Sequence, residues 1–273
     1  MCVLTLAWQR HDRFPMILAG NRDEFHKRPT ATARWWEDDP DILAGRDLQA
    51  GGTWMGLSRR GRFAVVTNIR EPDAPDLHNA PSRGQLVRDF LVSELTASAW
   101  ETTVDVGAYA GFNLLFGTLE EARYLSNRCS SAGPLEPGIY GLSNQLLDTP
   151  WPKLVRAREG MDRCLRGGVP DIPGLFTVLS DRQPADDASL PRTGVPEEWE
   201  RLLSPVFIVH PAYGTRASTV MMLGGDGAGF LEERAFDPSG DVTESRQFEF
   251  SVETACAREA DALPATVTPL SGD

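Results

Sequence analysis

Positive charge is scarce in this 273-residue sequence: 27 Lys and Arg stand against 39 Asp and Glu, leaving −12 at pH 7. A surface this acidic repels phosphate backbones and anionic lipid, which argues against nucleic acid and membrane surfaces as partners. Long apolar runs are also missing. Nothing approaches the ~18 consecutive apolar residues of a membrane span, so no integral membrane segment is expected. The apolar opening Met1–Trp8 lacks a basic n-region and meets Gln9-Arg10-His11-Asp12 at once, and so reads as a strand and not as a signal peptide. Cysteine is sparse and unpatterned. Cys2, Cys129, Cys164 and Cys256 lie far apart, which excludes a CxxC redox motif and a zinc framework. Unpaired thiols without an export signal predict a cytoplasmic location. His11, His26, His78 and His210 are scattered, none four residues from another, so no metal-ligand spacing is present.

What remains is ordinary globular material, 41% apolar and 24% charged, too apolar for disorder and long enough for one large domain. Short runs bounded by turn residues dominate. They include Val3–Trp8, Met16–Ala19, Thr53–Leu57, Phe63–Thr67, Phe112–Phe116, Val206–Val209, Thr219–Leu223, Phe230–Glu233 and Phe248–Val252. Tight polar turns join several of them, which implies hairpins and antiparallel sheet. Gly224-Gly225-Asp226-Gly227-Ala228-Gly229 resembles a phosphate loop only superficially, since it leads into a strand and not a helix; it reads as a hairpin turn.

Three helices interrupt the strands. One opens at Ser82, with Gln85 at capping-box spacing, and carries Leu86, Phe90, Leu91 and Leu95. A second follows Thr149-Pro150, with the stripe Leu154, Ala157, Met161 and Leu165 before Gly167-Gly168. A third covers Ile172–Leu179. The order strands, helix, strands, helices, strands is that of an α+β fold with helix-covered antiparallel sheets. A single domain over residues 2–253 is expected. Asp181–Glu200 reads as a surface loop or lid, and residues 254–273 as a loosely held tail.

Cys2 stands apart from the other cysteines. Initiator methionine is removed when the next residue is small, and removal would put a thiol and a free α-amine on one residue. That amine, with an unperturbed pKa of ~7.7–8, can serve as general base for its own side chain. The plain alternative is a small core residue, since Cys2, Leu4 and Leu6 share one strand face. Asn21-Arg22-Asp23-Glu24 follows the second apolar run. If the first two strands form a hairpin, this cluster returns beside Cys2, where a guanidinium favours thiolate and a carboxylate can hold an amine. As an ordinary charged turn it would contribute little. Asn68 and Asn144 each end an apolar segment, where a side-chain amide can serve a developing oxyanion or simply cap a turn. Arg216, in Tyr213-Gly214-Thr215-Arg216, opens a late strand.

Taken together, Met1-Cys2, Asn21-Arg22-Asp23-Glu24-Phe25 with Arg28-Pro29, and Gly51-Gly52-Thr53-Trp54-Met55-Gly56 resemble the NRDE family of transport and Golgi organisation-like proteins. Thr67-Asn68, Ser82-Arg83-Gly84, Leu142-Ser143-Asn144 and Tyr213-Gly214-Thr215-Arg216 follow in that family's order, so the resemblance spans nearly the whole chain. The family is similar to N-terminal-nucleophile hydrolases of the penicillin V acylase and bile-salt hydrolase kind. The resemblance implies an αββα sandwich of two antiparallel sheets and a cysteine hydrolase of small-molecule, non-peptide amides or thioesters that requires no cofactor. It implies Cys2 as nucleophile, Arg22 beside the thiolate, Asp23 on the α-amine, Asn144 and Asn68 at the oxyanion, and Arg216 completing a cationic wall. In those hydrolases the arginine and the aspartate are two residues apart; here they are adjacent and would face opposite ways on a regular strand. Either the strand bulges, or Glu24 takes the carboxylate role. The same resemblance allows a non-catalytic reading, haem or acyl-lipid binding and trafficking on the same fold, with His or Cys as axial ligand. A scaffold that binds a partner through Asp181–Glu200 is a third reading.

Overall fold

The computed structural model describes residues 2–74, 80–130 and 133–252, and within them the strands fall into two antiparallel sheets. In chain order the strands are β1 (Cys2–Trp8), β2 (Met16–Phe25), β3 (Thr30–Trp35), β4 (Ile42–Asp47), β5 (Met55–Ser58), β6 (Phe63–Asn68), β7 (Phe112–Gly117), β8 (Ala122–Ser126), β9 (Gly133–Pro134), β10 (Gly138–Leu142), β11 (Tyr213–Leu223), β12 (Ala228–Phe236) and β13 (Val242–Ser251). The α-helices are α1 (Arg83–Val92), α2 (Ala97–Glu101), α3 (Pro152–Cys164), α4 (Ile172–Leu179) and α5 (Glu197–Leu202). The first sheet is ordered β10-β1-β2-β11-β12-β13 and the second β3-β4-β5-β6-β7-β8-β9.

Alternation along the strands decides the layers. Leu4, Leu6 and Trp8 of β1, with Met16 and Leu18 of β2, pack against Leu57, Phe63, Val65 and Leu115 of the second sheet, forming the core between the sheets. The intervening Ala7, Ile17 and Ala19 face the other way and are covered by Met161 of α3 and Leu175, Phe176 and Leu179 of α4. On the far side, Phe90 of α1 and Trp100 of α2 stack edge-on against Phe116 of β7. Burying side chains of this size contributes ~1.5–3 kcal/mol each. The result is the expected αββα sandwich. Among the described residues no helix is long and apolar enough to cross a membrane.

Several local expectations are corrected. Val206–Ile208 is buried and Val209 exposed, and the segment is not a strand, because its backbone bonds form no ladder: Phe207 N donates to Asp181 O at 2.8 Å, and Ile208 N donates to Thr215 Oγ1 and its carbonyl accepts from Thr215 N, both at 2.9 Å. The capping box does not form. Ser82 is the N-cap of α1 without a side-chain cap bond, and Gln85 Nε2 instead donates to Asp89 Oδ1 at 2.8 Å. The proline that opens α3 is Pro152, with Trp151 as N-cap, and not Pro150. Asp181–Glu200 is not loop throughout, since α5 begins at Glu197. β3 and β4 escape notice in the sequence because Asp, Arg and Gly break their apolar runs. The expected hairpin at Gly224–Gly229 is present, with Gly224 N donating to Ala228 O at 2.7 Å and Gly227 at φ +83°. The tail 254–273, His78 and Cys256 lie outside the described residues.

Candidate active site

The β1–β2 hairpin does what its sequence promises. Cys2 lies opposite Arg22, and Val3 opposite Asn21. Directly opposed residues share a face, so Cys2 and Arg22 both project toward the second sheet, past the point where Leu4 and Leu18 close the core. There a cavity of about 390 Å³ opens, with Cys2, Arg22, Trp54, Asn68 and Arg83 in its wall.

Arg22 is held from several sides. Its guanidinium lies 4.8 Å from the Trp54 ring centroid, and Nη1 donates to Thr30 Oγ1 at 3.2 Å. Nη2 approaches Asp47 Oδ2 at 3.5 Å and Glu24 Oε2 at 3.9 Å. Arg28 completes the network, 2.6 Å from Asp47 and 3.9 Å from Glu24. Burial pushes the Asp47 carboxyl up, but the hydrogen bond and charge of Arg28, with the backbone N–H groups of Ala50 and Gln49, hold it below the usual range.

Asp23 projects to the other side of β2, toward the helices, where it is buried. Its Oδ1 accepts from Thr215 Oγ1 at 2.7 Å, and its carbonyl accepts from Tyr213 OH at 3.0 Å. The register irregularity expected near here is in β11, at Arg216 between Thr215 and Ala217, and not in β2. Adjacent Arg22 and Asp23 therefore do face opposite ways. Even so, Asp23 is the carboxylate whose charge acts on the Cys2 thiol, whereas Glu24 is occupied with Arg22 and Arg28. Burial pushes the Asp23 carboxyl up, opposed chiefly by the cation of Lys153 and by the positive amino end of the chain.

Around the Cys2 backbone the contacts are specific. Its N–H donates to Asn144 Oδ1 at 3.3 Å, and its carbonyl accepts from Ser143 Oγ at 2.8 Å. Asn144 is fully buried and its Nδ2 donates to the Asn68 carbonyl at 3.0 Å. The Ser143-Asn144 segment is fixed to the end of β6 by Thr67 Oγ1, which donates to Ser143 O at 2.7 Å. Asn68 itself is exposed on the cavity side. Burial pushes the Cys2 thiol up. The charge of Asp23 adds to this, and the amino-terminal charge, a hydrogen bond from the Asp23 backbone N–H and the charge of Arg22 only partly offset it. Arg22 thus favours thiolate as expected, but burial wins.

Arg216 is placed differently from the expectation of a cationic wall. Its Nη1 donates to the carbonyls of Phe25, His26 and Arg28 at 3.0, 3.1 and 3.2 Å, so it fastens the turn after β2. Cys2, Arg22, Asp23, Asn68 and Asn144 are brought together; Arg216 supports them from outside the cavity.

Two residues escaped a role in the sequence. Lys153 is 2% exposed on α3, and its Nζ donates to Leu203 O at 3.0 Å. Burial pulls its pKa down to about 8, with the charge of Asp23 opposing. Its spacing from Ala157 and Gly160 on the buried face of α3 was the available signal. Arg83, in the first turn of α1, lines the cavity with Cys2. Among the described residues no cluster of His, Cys, Asp and Glu can hold a metal ion.

Comparison with known proteins identifies the family. The family described as Transport and Golgi organisation 2 matches residues 1–238. This chain belongs to that family. It is 32% identical to the human Transport and Golgi organization protein 2 homolog over 262 residues, 88% of this chain and 94% of the relative. It is 26% identical to Transport and Golgi organization protein 2 of Drosophila melanogaster over 272 residues, 88% and 95% of the two chains. Among solved structures it resembles the mutant C2A conjugated bile acid hydrolase from Clostridium perfringens, with a TM-score of 0.51 at 7% identity, over 93% of this chain and 98% of that one. That likeness shows that the two chains share a fold, the sandwich of two antiparallel sheets described above.

Proposed function

We propose that this protein is an N-terminal-cysteine hydrolase that cleaves a non-peptide amide or thioester bond of a small molecule through an acyl-enzyme on Cys2. One observation carries the reading. The residue at the start of β1 combines a thiol on the cavity with a backbone nitrogen bound by a buried asparagine, and the charges of Arg22 and Asp23 both reach its sulfur. The structural relative supports it, being a conjugated bile acid hydrolase whose cysteine at position 2 is replaced by alanine.

In this proposal Met1 is excised and Cys2 carries the free α-amine. Because burial opposes ionisation of the thiol, its proton passes to that amine as the sulfur–carbon bond forms. The tetrahedral oxyanion accepts from the Asn68 side chain and from the second Nδ2–H of Asn144, donors of the kind worth ~2.7–4 kcal/mol at such a position. The ammonium, held by Asp23, returns its proton to the leaving nitrogen or sulfur as that bond breaks. The amine then takes a proton from water, whose oxygen attacks the acyl carbon, and the proton ends on the departing sulfur. The charge of Lys153 opposes the upward push of burial on Asp23. No cofactor enters these steps. A cytoplasmic site goes with the proposal, since a reducing compartment keeps the nucleophile as a thiol.

Intact mass spectrometry of the purified protein tests the first requirement. The expected mass is short by one methionine. Retention of Met1 on the folded protein would leave no amine to act as base and would end the proposal.

A further inference from the structure

Among the described residues lining the cavity at Cys2, one arginine stands outside the ion pairs. Arg22 and Arg28 are matched by Glu24 and Asp47 in a single network. A second cavity of about 640 Å³ adjoins the first, and in its wall Arg128 holds Glu71 by a two-point contact at 2.5 and 3.0 Å. Arg83 lines both cavities. Among the described residues it takes part in no ion pair, and its Nη1 donates to a neutral acceptor, Gly111 O, at 3.1 Å. A guanidinium has five N–H donors in a planar fork, so most of its capacity is left for a ligand.

The position of Arg83 is built and not incidental. The first turn of α1 is pressed against the loop before β5, where Thr53 N donates to Gly84 O at 3.3 Å. A Cβ on Gly52 would lie 2.6 Å from the Gly84 carbonyl carbon, and one on Gly84 would lie 2.8 Å from Thr53 O. Only glycine at both positions allows this approach, and the approach fixes where Arg83 leaves the helix. Burial pulls the Arg83 guanidinium below its ordinary pKa. A half-buried cation without a carboxylate is costly on its own, and an anionic ligand removes that cost.

We infer that Arg83 binds a carboxylate on the molecule that Cys2 attacks, so that the substrate class is an acidic amide or thioester whose carboxylate seats at the wall shared by the two cavities. This inference rests on the hydrolase reading of Cys2 but is tested apart from it. Arg83 is a specificity residue, and the chemistry stays with Cys2.

The test is equilibrium binding by calorimetry to the full-length Cys2→Ala protein. N-Hexanoylglycine carries the carboxylate on the amine side, and glutaric acid mono-butylamide carries it on the acyl side; each is compared with its own methyl ester. At least one acid is expected to bind about tenfold more tightly than its ester, as a charge-assisted arginine contact warrants. That preference should fall to about unity with Arg83→Met in the same background and recover in part with Arg83→Lys, whose melting curve also controls for folding. The arm that shows the preference places the anion on the acyl or the amine side. Equal binding of acid and ester in both arms overturns the inference, as does no measurable binding of either acid, or a preference that survives Arg83→Met. Failure of the hydrolase reading would show separately, as absence of an acyl adduct on the wild-type protein.

Discussion

Cys2 and Arg22 are directly opposed across the β1–β2 ladder, and both side chains emerge on the face that looks toward the second sheet. The sulfur therefore feels a guanidinium that is itself held between Trp54 and Asp47.

Removing that guanidinium should slow the thiol. Arg22→Met is expected to lower the rate of Cys2 alkylation by iodoacetamide about tenfold at neutral pH, with Arg22→Lys in between. The pH dependence of the reaction should move upward, because burial then acts unopposed by Arg22. An unchanged profile would mean that Arg22 serves only the ion network with Glu24, Arg28 and Asp47.

Asn144 has two separable functions, as acceptor from the Cys2 N–H and as donor of Nδ2–H. Asn144→Asp keeps the acceptor and loses the donor. If the donor serves the oxyanion, Asn144→Asp and Asn144→Ala should both cut the acylation rate about a hundredfold. Stopped-flow acylation by an activated ester reads this directly. Near-normal rates in Asn144→Asp would assign the residue to holding the Cys2 nitrogen alone.

Lys153 supplies the largest influence opposing the effect of burial on Asp23. In Lys153→Met the Asp23 carboxyl should rise further and protonate at higher pH. The acid limb of the acylation profile then moves to higher pH, with about tenfold loss of rate at neutral pH. A pH–rate series on the two proteins decides this; a uniform loss with an unmoved limb would point to packing alone.

Away from the site, Glu233 of β12 ties the two sheets together. Its Oε1 accepts from the Ala33 N–H of β3 at 2.7 Å and its Oε2 from Thr219 Oγ1 at 3.2 Å. Burial pushes its pKa from 4.5 up to about 7. Between those values the folded chain keeps a proton that the unfolded chain has released, so stability is fullest below 4.5 and falls as pH rises through 7. The shift corresponds to about 3 kcal/mol. Glu233→Gln keeps an acceptor for Ala33 and should lose this decline. Urea unfolding at pH 5 and pH 8 checks it, and parallel pH dependence in the two proteins would refute it.

Much of the fold was legible because β1, β2 and β11 carry short, nearly continuous apolar runs bounded by turn residues, and because Ile172–Leu179 is bounded as the sequence indicates. Val206–Val209 misled because burial alone does not make a strand; its hydrogen bonds go to Asp181 and Thr215, partners distant in sequence or in side chains. In the site, Cys2 and Arg22 could be read together once the first two strands were taken as a hairpin. The choice between Asp23 and Glu24 could not, because it depends on Lys153 and Thr215 arriving from α3 and β11. Arg216 was legible as a residue near the site but not as the clamp on the turn carbonyls of Phe25, His26 and Arg28. Arg83 was visible within Ser82-Arg83-Gly84, yet its use emerges only when the charges around it are seen to be paired.

The central claim is that Cys2 forms and turns over an acyl-enzyme. Treating the protein with activated acyl esters and following the mass of its N-terminal peptide over time tests this most directly. One acyl group on an N-terminal Cys2 is expected, with its loss and release of acid on the timescale of turnover, and no adduct in Cys2→Ala. An unmodified Cys2 in protein that hydrolyses the ester, or equal hydrolysis by Cys2→Ala, would contradict it.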